Sequence, residues 1–364
     1  MEFGLDALCP TRSGQLPWRS KPCQTVTSGR TGLKLVAQIL KASSNGSCLL
    51  PSYLCSSMIR PFDDEGAVVE FYRVNADLTI DVEDLESRVR STRPSSVLFV
   101  NYFGFPVSDR EAETLRRIKQ HCWVIEDCAH GSLIERGDPI VGGIGHFVVT
   151  SFRKYLPVPD GGLVINWTDL PMPQLPAPTG SFVRHRVLAK SLRHEYLHGG
   201  LDQPELEDAY LSLFSAAETR LDSDVPMHAM SAISERLMSA MDVPAVMDCR
   251  RRNYNFLLQA FNELPLLKTV GIPIRTDLPD GVSPLVFPIR VNETKRDLLR
   301  RELASCRVFC PIHWPLPSDI SENRYPEAYE LSRQILGLPI DQRYGEDDMQ
   351  SLVERLIKTW GRLP

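Results

Sequence analysis

Residues 124–162, VIEDCAHGSLIERGDPIVGGIGHFVVTSFRKYLPVPDGG, narrow most sharply what this chain can fold into. Two short apolar runs, 122–125 and 147–150, lie in or against this stretch, rich in Val and bounded by Gly, Asp and Pro. Runs of that length without polar alternation read as strands buried on both faces, as in a parallel or mixed sheet. Each empties into polar residues: Glu126, Asp127 and His130 after the first, and Ser151, Arg153 and Lys154 after the second. In open α/β sheets the ligand crevice lies beyond the carboxyl ends of the strands. An acid and a lysine are therefore directed at one crevice.

A lysine beside Phe152, Tyr155 and Leu156 has its charged form disfavoured by desolvation. That is the condition an amine needs to attack a carbonyl and form a Schiff base. An aspartate in the same crevice can keep a pyridine nitrogen protonated, so that the ring withdraws electrons. Lys154 with Asp127 thus points to pyridoxal 5′-phosphate (PLP). A Lys–Asp pair is also an ordinary surface ion pair, and the two residues alone leave that reading open.

The preceding chain supplies a matching frame. Residues 1–24 hold Pro10, Pro17 and Pro22 with little periodicity and read as an irregular arm. From Leu33 the apolar residues follow helical spacing, with Ser28 and Gly29 just ahead of the helix, where free N–H groups favour an anion. Arg30 is a cation at that end and asks for an anion nearby, a phosphate or a solvated surface setting. Strands are expected at 47–50, 68–72 and 95–100. A helix capped by Asp81 and another opened by the Ser108–Glu111 capping box lie between or after them. This order implies parallel βαβ units. Asn101, at the end of a strand, reads as a turn cap or as reaching the cofactor rim.

Beyond Asn166 a proline-rich run crosses the surface, and residues 181–222 and 228–262 read as helix, the latter interrupted near Pro244. His185, His194 and His198 lack zinc-ligand spacing and suit a solvated amphipathic helix. A strand at 284–291 and helices at 293–306, 323–335 and 347–360 suit an α+β lobe. His313 and Trp314, in PIHWPLP, could face the substrate, with packing beside the three prolines as the default reading. The GGIG run precedes a strand and lacks dinucleotide spacing, and GRTGLK is no phosphate-binding P-loop.

Composition excludes some classes. A net charge of −5 argues against nucleic-acid or membrane-surface binding, and 43% hydrophobic residues give ample core for a soluble protein. Nine scattered cysteines without a C-x-x-C pair favour reduced thiols and a cytoplasmic location.

The run EDCAH followed by SFRKYLPVPDGG resembles the DegT–StrS family of PLP-dependent aminotransferases, many of which act on nucleotide-linked sugars. SGRTGL, LLPSYLCSS, VNYFGFP, RRRNY and ILGLPID extend the likeness. The resemblance implies a fold-type I architecture: a large α/β domain with a mostly parallel sheet over residues 1–235, and a smaller α+β domain over 236–364. It implies that Lys154 holds PLP as an internal aldimine and shuttles a proton, that Asp127 pairs with the pyridinium nitrogen, and that His130 lies against the ring or its phenolic oxygen. Ser28, Gly29, Arg30 and Ser151 would bind phosphate, and Tyr53 or Cys55 would cover the ring face. It further implies an amino donor, a keto or aldehyde acceptor, and a homodimer with its site at the interface. Arg30 stands where the family usually has Thr, and Lys154 follows the Ser-Phe pair two residues sooner than usual. VPMHAMSAISE replaces a segment that reaches the neighbouring subunit's cofactor, which weakens a nucleotide-sugar substrate, and the 168–226 region is expected near the site entrance. A PLP-dependent lyase, dehydratase or racemase, a non-catalytic PLP-fold protein, and a cofactor-free α/β protein remain alternatives.

Overall fold

The computed structural model describes residues 23–42, 46–131, 142–199, 204–223 and 225–364. Seven strands form the main sheet: β1 (Cys23–Val26), β2 (Ser47–Pro51), β3 (Val68–Tyr72), β4 (Ser96–Val100), β5 (Trp123–Cys128), β6 (Phe147–Ser151) and β7 (Gly162–Asn166). Their order is β1-β7-β6-β5-β4-β2-β3. β7 runs against both neighbours, and the remaining pairs are parallel. Strands β2 and β4 to β6 are almost wholly buried, as their unbroken apolar runs require.

The helices between these strands begin where local chemistry says they should. In α1 (Gly29–Lys41) the Thr31 N–H donates to Ser28 Oγ at 3.2 Å. After α2 (Arg60–Asp63), α3 (Val82–Thr92) is capped by Asp81, which accepts from the Asp84 N–H at 3.0 Å. α4 (Asp109–Ile118) opens on the expected capping box, with Ser108 N–H donating to Glu111 at 2.7 Å. α1 places its first turn at the carboxyl end of β6, where Gly29 lies against Ser151.

Helices α5 (Ser181–His198) and α6 (Pro204–Ser223) pack on each other, and α7 (Ala232–Ser239) and α8 (Val243–Glu263) follow. The helix is interrupted near Pro244 as expected: α7 ends at Ser239, and Pro244 sits in the first turn of α8, whose N-cap is Asp242. The remaining elements are α9 (Pro265–Val270), β8 (Ile272–Pro273), β9 (Phe287–Arg290), α10 (Glu293–Ser305), α11 (Pro326–Gln334), β10 (Ile335–Leu338) and α12 (Glu346–Trp360). The three strands among them form an antiparallel sheet of order β10-β9-β8.

Some sequence expectations change. Of the irregular arm expected over 1–24, residues 1–22 lie outside the described residues, while Cys23 and Gln24 pair with Ile165 and Val164 in the sheet. β5 continues through Cys128 instead of stopping at Ile125, so Glu126 and Asp127 are strand residues on opposite faces. β10 arises where only the end of a helix was expected, because Pro326 starts α11 late and Ile335 leaves the helix in extended conformation. The C-terminal part is stitched to the main sheet: Tyr325 Oη donates to Phe71 O at 2.9 Å, and Gln342 Nε2 donates to Tyr155 O at 2.9 Å. The second of these holds the residue next to Lys154.

Candidate active site

A cavity of about 380 Å³ opens at the carboxyl ends of β4, β5 and β6. Its wall includes Ser28, Gly29, Arg30, Cys55, Asp127, His130, Ser151 and Lys154, so most of the residues singled out by sequence meet there. Tyr53 is the exception. It is fully buried outside the wall, packed on Tyr102 and Trp314 at ring distances of 5.6 and 5.5 Å. Cys55 is in the wall, its Sγ 2.9 Å from Ser57 Oγ.

Neighbouring carboxylates of β5 have different tasks. Glu126 points away from the cavity and accepts four hydrogen bonds. Asn101 Nδ2 and the Gly142 N–H reach Oε1 at 2.9 and 2.7 Å, and the Ile144 and Gly145 N–H groups reach Oε2 at 2.9 and 3.0 Å. It braces the glycine-rich run before β6, and Asn101 links β4 to it. Asp127 faces the cavity with the Ala129 N–H on its Oδ1 at 2.7 Å. Burial raises its pKa, opposed by that N–H and by the Lys154 charge.

Lys154 ends a single 3-10 turn, Phe152–Lys154, directly after β6. The turn is fixed from behind by the Phe152 N–H, which donates to Gly161 O at 3.1 Å. Gly161 has φ +129, and a Cβ there would meet Met230 Sδ at 2.5 Å, so glycine is required. The lysine side chain stands in the recess, reached by water yet surrounded by protein. Desolvation lowers its pKa, while Cys55 and Asp127 pull the other way.

His130 is buried and stacked on Phe103 at 5.6 Å. The Phe103 N–H donates to Nδ1 at 3.3 Å, so the neutral ring carries its proton on Nε2. Burial, and then the Lys154 charge, hold the imidazole pKa well below its usual value. Nε2 has no hydrogen-bond partner among the described residues. The loop carrying Phe103 passes so near that a Cβ on Gly104 would meet His130 O at 2.6 Å.

The other end of the cavity is cationic. The first turn of α1, Arg30 and Arg153 converge there. Arg30 also has a carboxylate beside it: Asp222 lies 2.8 Å from its guanidinium. Glu218 sits among Arg153 at 3.1 Å, Arg186 at 2.8 Å and Arg30 at 3.9 Å. Burial works against its charge, but these arginines hold its pKa below the usual range. The stretch 181–222 is thus two helices, of which α6 brings Leu221 and Asp222 to the cavity wall. The segment in VPMHAMSAISE returns beneath the site: the Thr27 N–H donates to His228 O at 3.0 Å, and the Ser231 N–H to Asp160 at 2.8 Å.

Trp314, whose default reading was packing beside prolines, takes the other placement open to it and lines the cavity. Its ring lies 5.1 Å from His130 and 6.0 Å from Lys154 Nζ. No periodicity signals this placement; the tryptophan in a proline-bounded, non-periodic loop was the available hint.

The model of the DegT/DnrJ/EryC1/StrS aminotransferase family matches residues 18–170, a span covering β1 to β7 with both Asp127 and Lys154. Solved structures align over nearly the whole chain. A Streptococcus pneumoniae protein named as a sugar aminotransferase, in its PLP form, has TM-score 0.69 at 15% identity, covering 98% of this chain and 95% of its own. PseC of Helicobacter pylori, an aminotransferase of pseudoaminic acid biosynthesis, has TM-score 0.66 at 16% identity, covering 98% and 90%. The sugar aminotransferase CalS13 of Micromonospora echinospora has TM-score 0.64 at 18% identity, covering 93% and 88%. These likenesses show that the chain shares the fold of those proteins. No curated protein matches the chain by sequence. Among the described residues no helix is long and apolar enough to cross a membrane.

Proposed function

We propose that the protein is a PLP-dependent aminotransferase that moves an amino group from an amino acid to a keto or aldehyde acceptor, sugar-like or another biosynthetic intermediate. The observation that carries this reading is the meeting of Lys154 and Asp127 in one cavity whose far end is a cationic helix start. The donor set fits the cofactor. A buried carboxylate suits a protonated ring nitrogen, the orphaned Nε2–H of His130 suits a phenolic oxygen, and the α1 N-terminus with Ser151 and Arg30 suits a phosphate. When bound, PLP supplies an electron sink for the carbon that carries the amino group.

The chain's own residues do the rest. Lys154, with its ammonium disfavoured by desolvation, is the amine that would hold the cofactor through its aldehyde carbon, the oxygen leaving as water, and its Nζ would be placed to move a proton at the reacting carbon. Asp127 would hold charge opposite the ring nitrogen, and His130 would orient the ring's edge. The acceptor need not be a nucleotide sugar: Leu221 and Asp222 of α6 line the wall on that side, and the 225–231 segment is bonded within the same chain, to Thr27.

Carried over with this reading are a cytoplasmic location, no nucleic-acid or membrane partner, and a homodimer. Leu188, Leu197 and Leu211, exposed on α5 and α6, give such a dimer apolar surface to bury. Sedimentation should show a two-fold assembly, and a fully active monomer would contradict it. The activity is tested by incubating PLP-loaded protein with donors such as glutamate. The expected result is conversion of the cofactor to its pyridoxamine form with release of the matching keto acid. Ammonia or a racemised amino acid would assign a lyase or racemase instead.

A further inference from the structure

We propose that Trp314 is the aromatic wall against which the cofactor ring rests, a positioning residue delivered by the C-terminal part of the chain. This rests on the PLP reading of the cavity. Among the residues lining that cavity, Trp314 alone has a benzenoid ring. The other apolar side chains of the wall, Leu33, Met58, Val100, Ala129 and Leu221, are aliphatic and offer no flat aromatic face. A planar heteroaromatic ligand gains from an aromatic surface in offset or tilted contact, and Trp314 is the surface available.

Its placement is specific. The ring centroid lies 6.0 Å from Lys154 Nζ and 5.1 Å from the His130 ring, tilted by 34° to the latter. A ligand held between the lysine and Asp127 therefore lies beside the indole. The indole is braced by Tyr53 and Tyr102 at 5.5 and 6.3 Å, and its carbonyl accepts from Ser332 Oγ at 2.6 Å. Tyr53 therefore acts through Trp314 and does not itself face the cavity. Before any ligand arrives, the ring faces the Lys154 ammonium, a contact attractive in itself.

The test is a titration of apo protein with PLP, following the visible band and tryptophan emission, for the wild type, Trp314→Leu and Trp314→Phe. Trp314→Leu should raise the dissociation constant about tenfold, equal to about 1.4 kcal/mol, while Trp314→Phe keeps most of the affinity. Quenching of emission by PLP should fall sharply in both variants, although four other tryptophans, Trp18, Trp123, Trp167 and Trp360, remain. A folded Trp314→Leu protein that binds PLP as tightly as wild type would overturn the assignment while leaving the PLP reading intact. Should that variant fail to fold, Trp314→Phe decides: undiminished quenching overturns the proposal, and lost quenching with retained binding upholds it. Wild-type protein that forms no band on titration would remove the PLP reading, and this inference with it.

Discussion

Glu126 and Asp127 are adjacent, both acidic and both buried, and the structure assigns them opposite consequences on amidation. Glu126→Gln keeps the shape but leaves one acceptor oxygen where two oxygens serve four donors. Two of those donors then face an NH₂ group or water. Hydrogen bonds to a charged group contribute about 1.5–3 kcal/mol each. Single substitutions rarely exceed about 4–5 kcal/mol, so a loss of about 3–4 kcal/mol is expected. With about 2.1 cal/mol/K of unfolding entropy per residue, a chain of 364 residues should melt about 4–5 °C lower. Asp127→Asn behaves differently. Burial raises the Asp127 pKa in the folded chain, so its ionisation weakens the fold. That cost is absent below the ordinary aspartate pKa of about 3.9, grows as pH rises through the raised value, and persists above it. The apo Asp127→Asn protein should accordingly melt at or above wild type at neutral pH, while its turnover collapses. Calorimetry of the apo proteins and donor half-reaction rates of the PLP-loaded proteins measure both. The reasoning is refuted if Glu126→Gln melts within about 1 °C of wild type, or if Asp127→Asn loses stability and keeps its rate.

Desolvation lowers the Lys154 pKa, so covalent capture of PLP by apo protein should accelerate with pH through a midpoint below the ordinary lysine value of about 10.4; a midpoint at that ordinary value would show an unperturbed amine. Glu218→Gln leaves Arg30, Arg153 and Arg186 without their shared carboxylate. For this partly exposed group the expected loss is about 1–2 kcal/mol, with faster tryptic cleavage within α5 and α6; unchanged melting and cleavage would mean the cluster contributes nothing to docking the two helices.

Local chemistry made much of this legible. The capping residues Asp81 and Ser108 and the unbroken apolar runs of β4 and β6 carry their signals within a few residues, and the strand–helix–strand order implies the parallel sheet. What escaped depends on distant partners. β5 looked finished at Ile125 because two acids follow, yet Glu126 is tolerated inside the strand by donors from Asn101, Gly142, Ile144 and Gly145. Arg30 announced an anion, but nothing local could say that Asp222 lies beside it. Trp314 and Leu221 reach the cavity only because the C-terminal part and α6 fold back onto it. Tyr53, one aromatic offered for the ring face, proved to be the support of another aromatic.

The central claim is that Lys154 is the amine that carries the cofactor, and it is tested most directly by reducing PLP-loaded protein with borohydride and mapping the labelled peptide. The account predicts a single pyridoxyl label on Lys154, in the peptide containing SFRK, and loss of both label and visible band in Lys154→Ala. Label on another lysine, or a Lys154→Ala protein that retains the band, would contradict it.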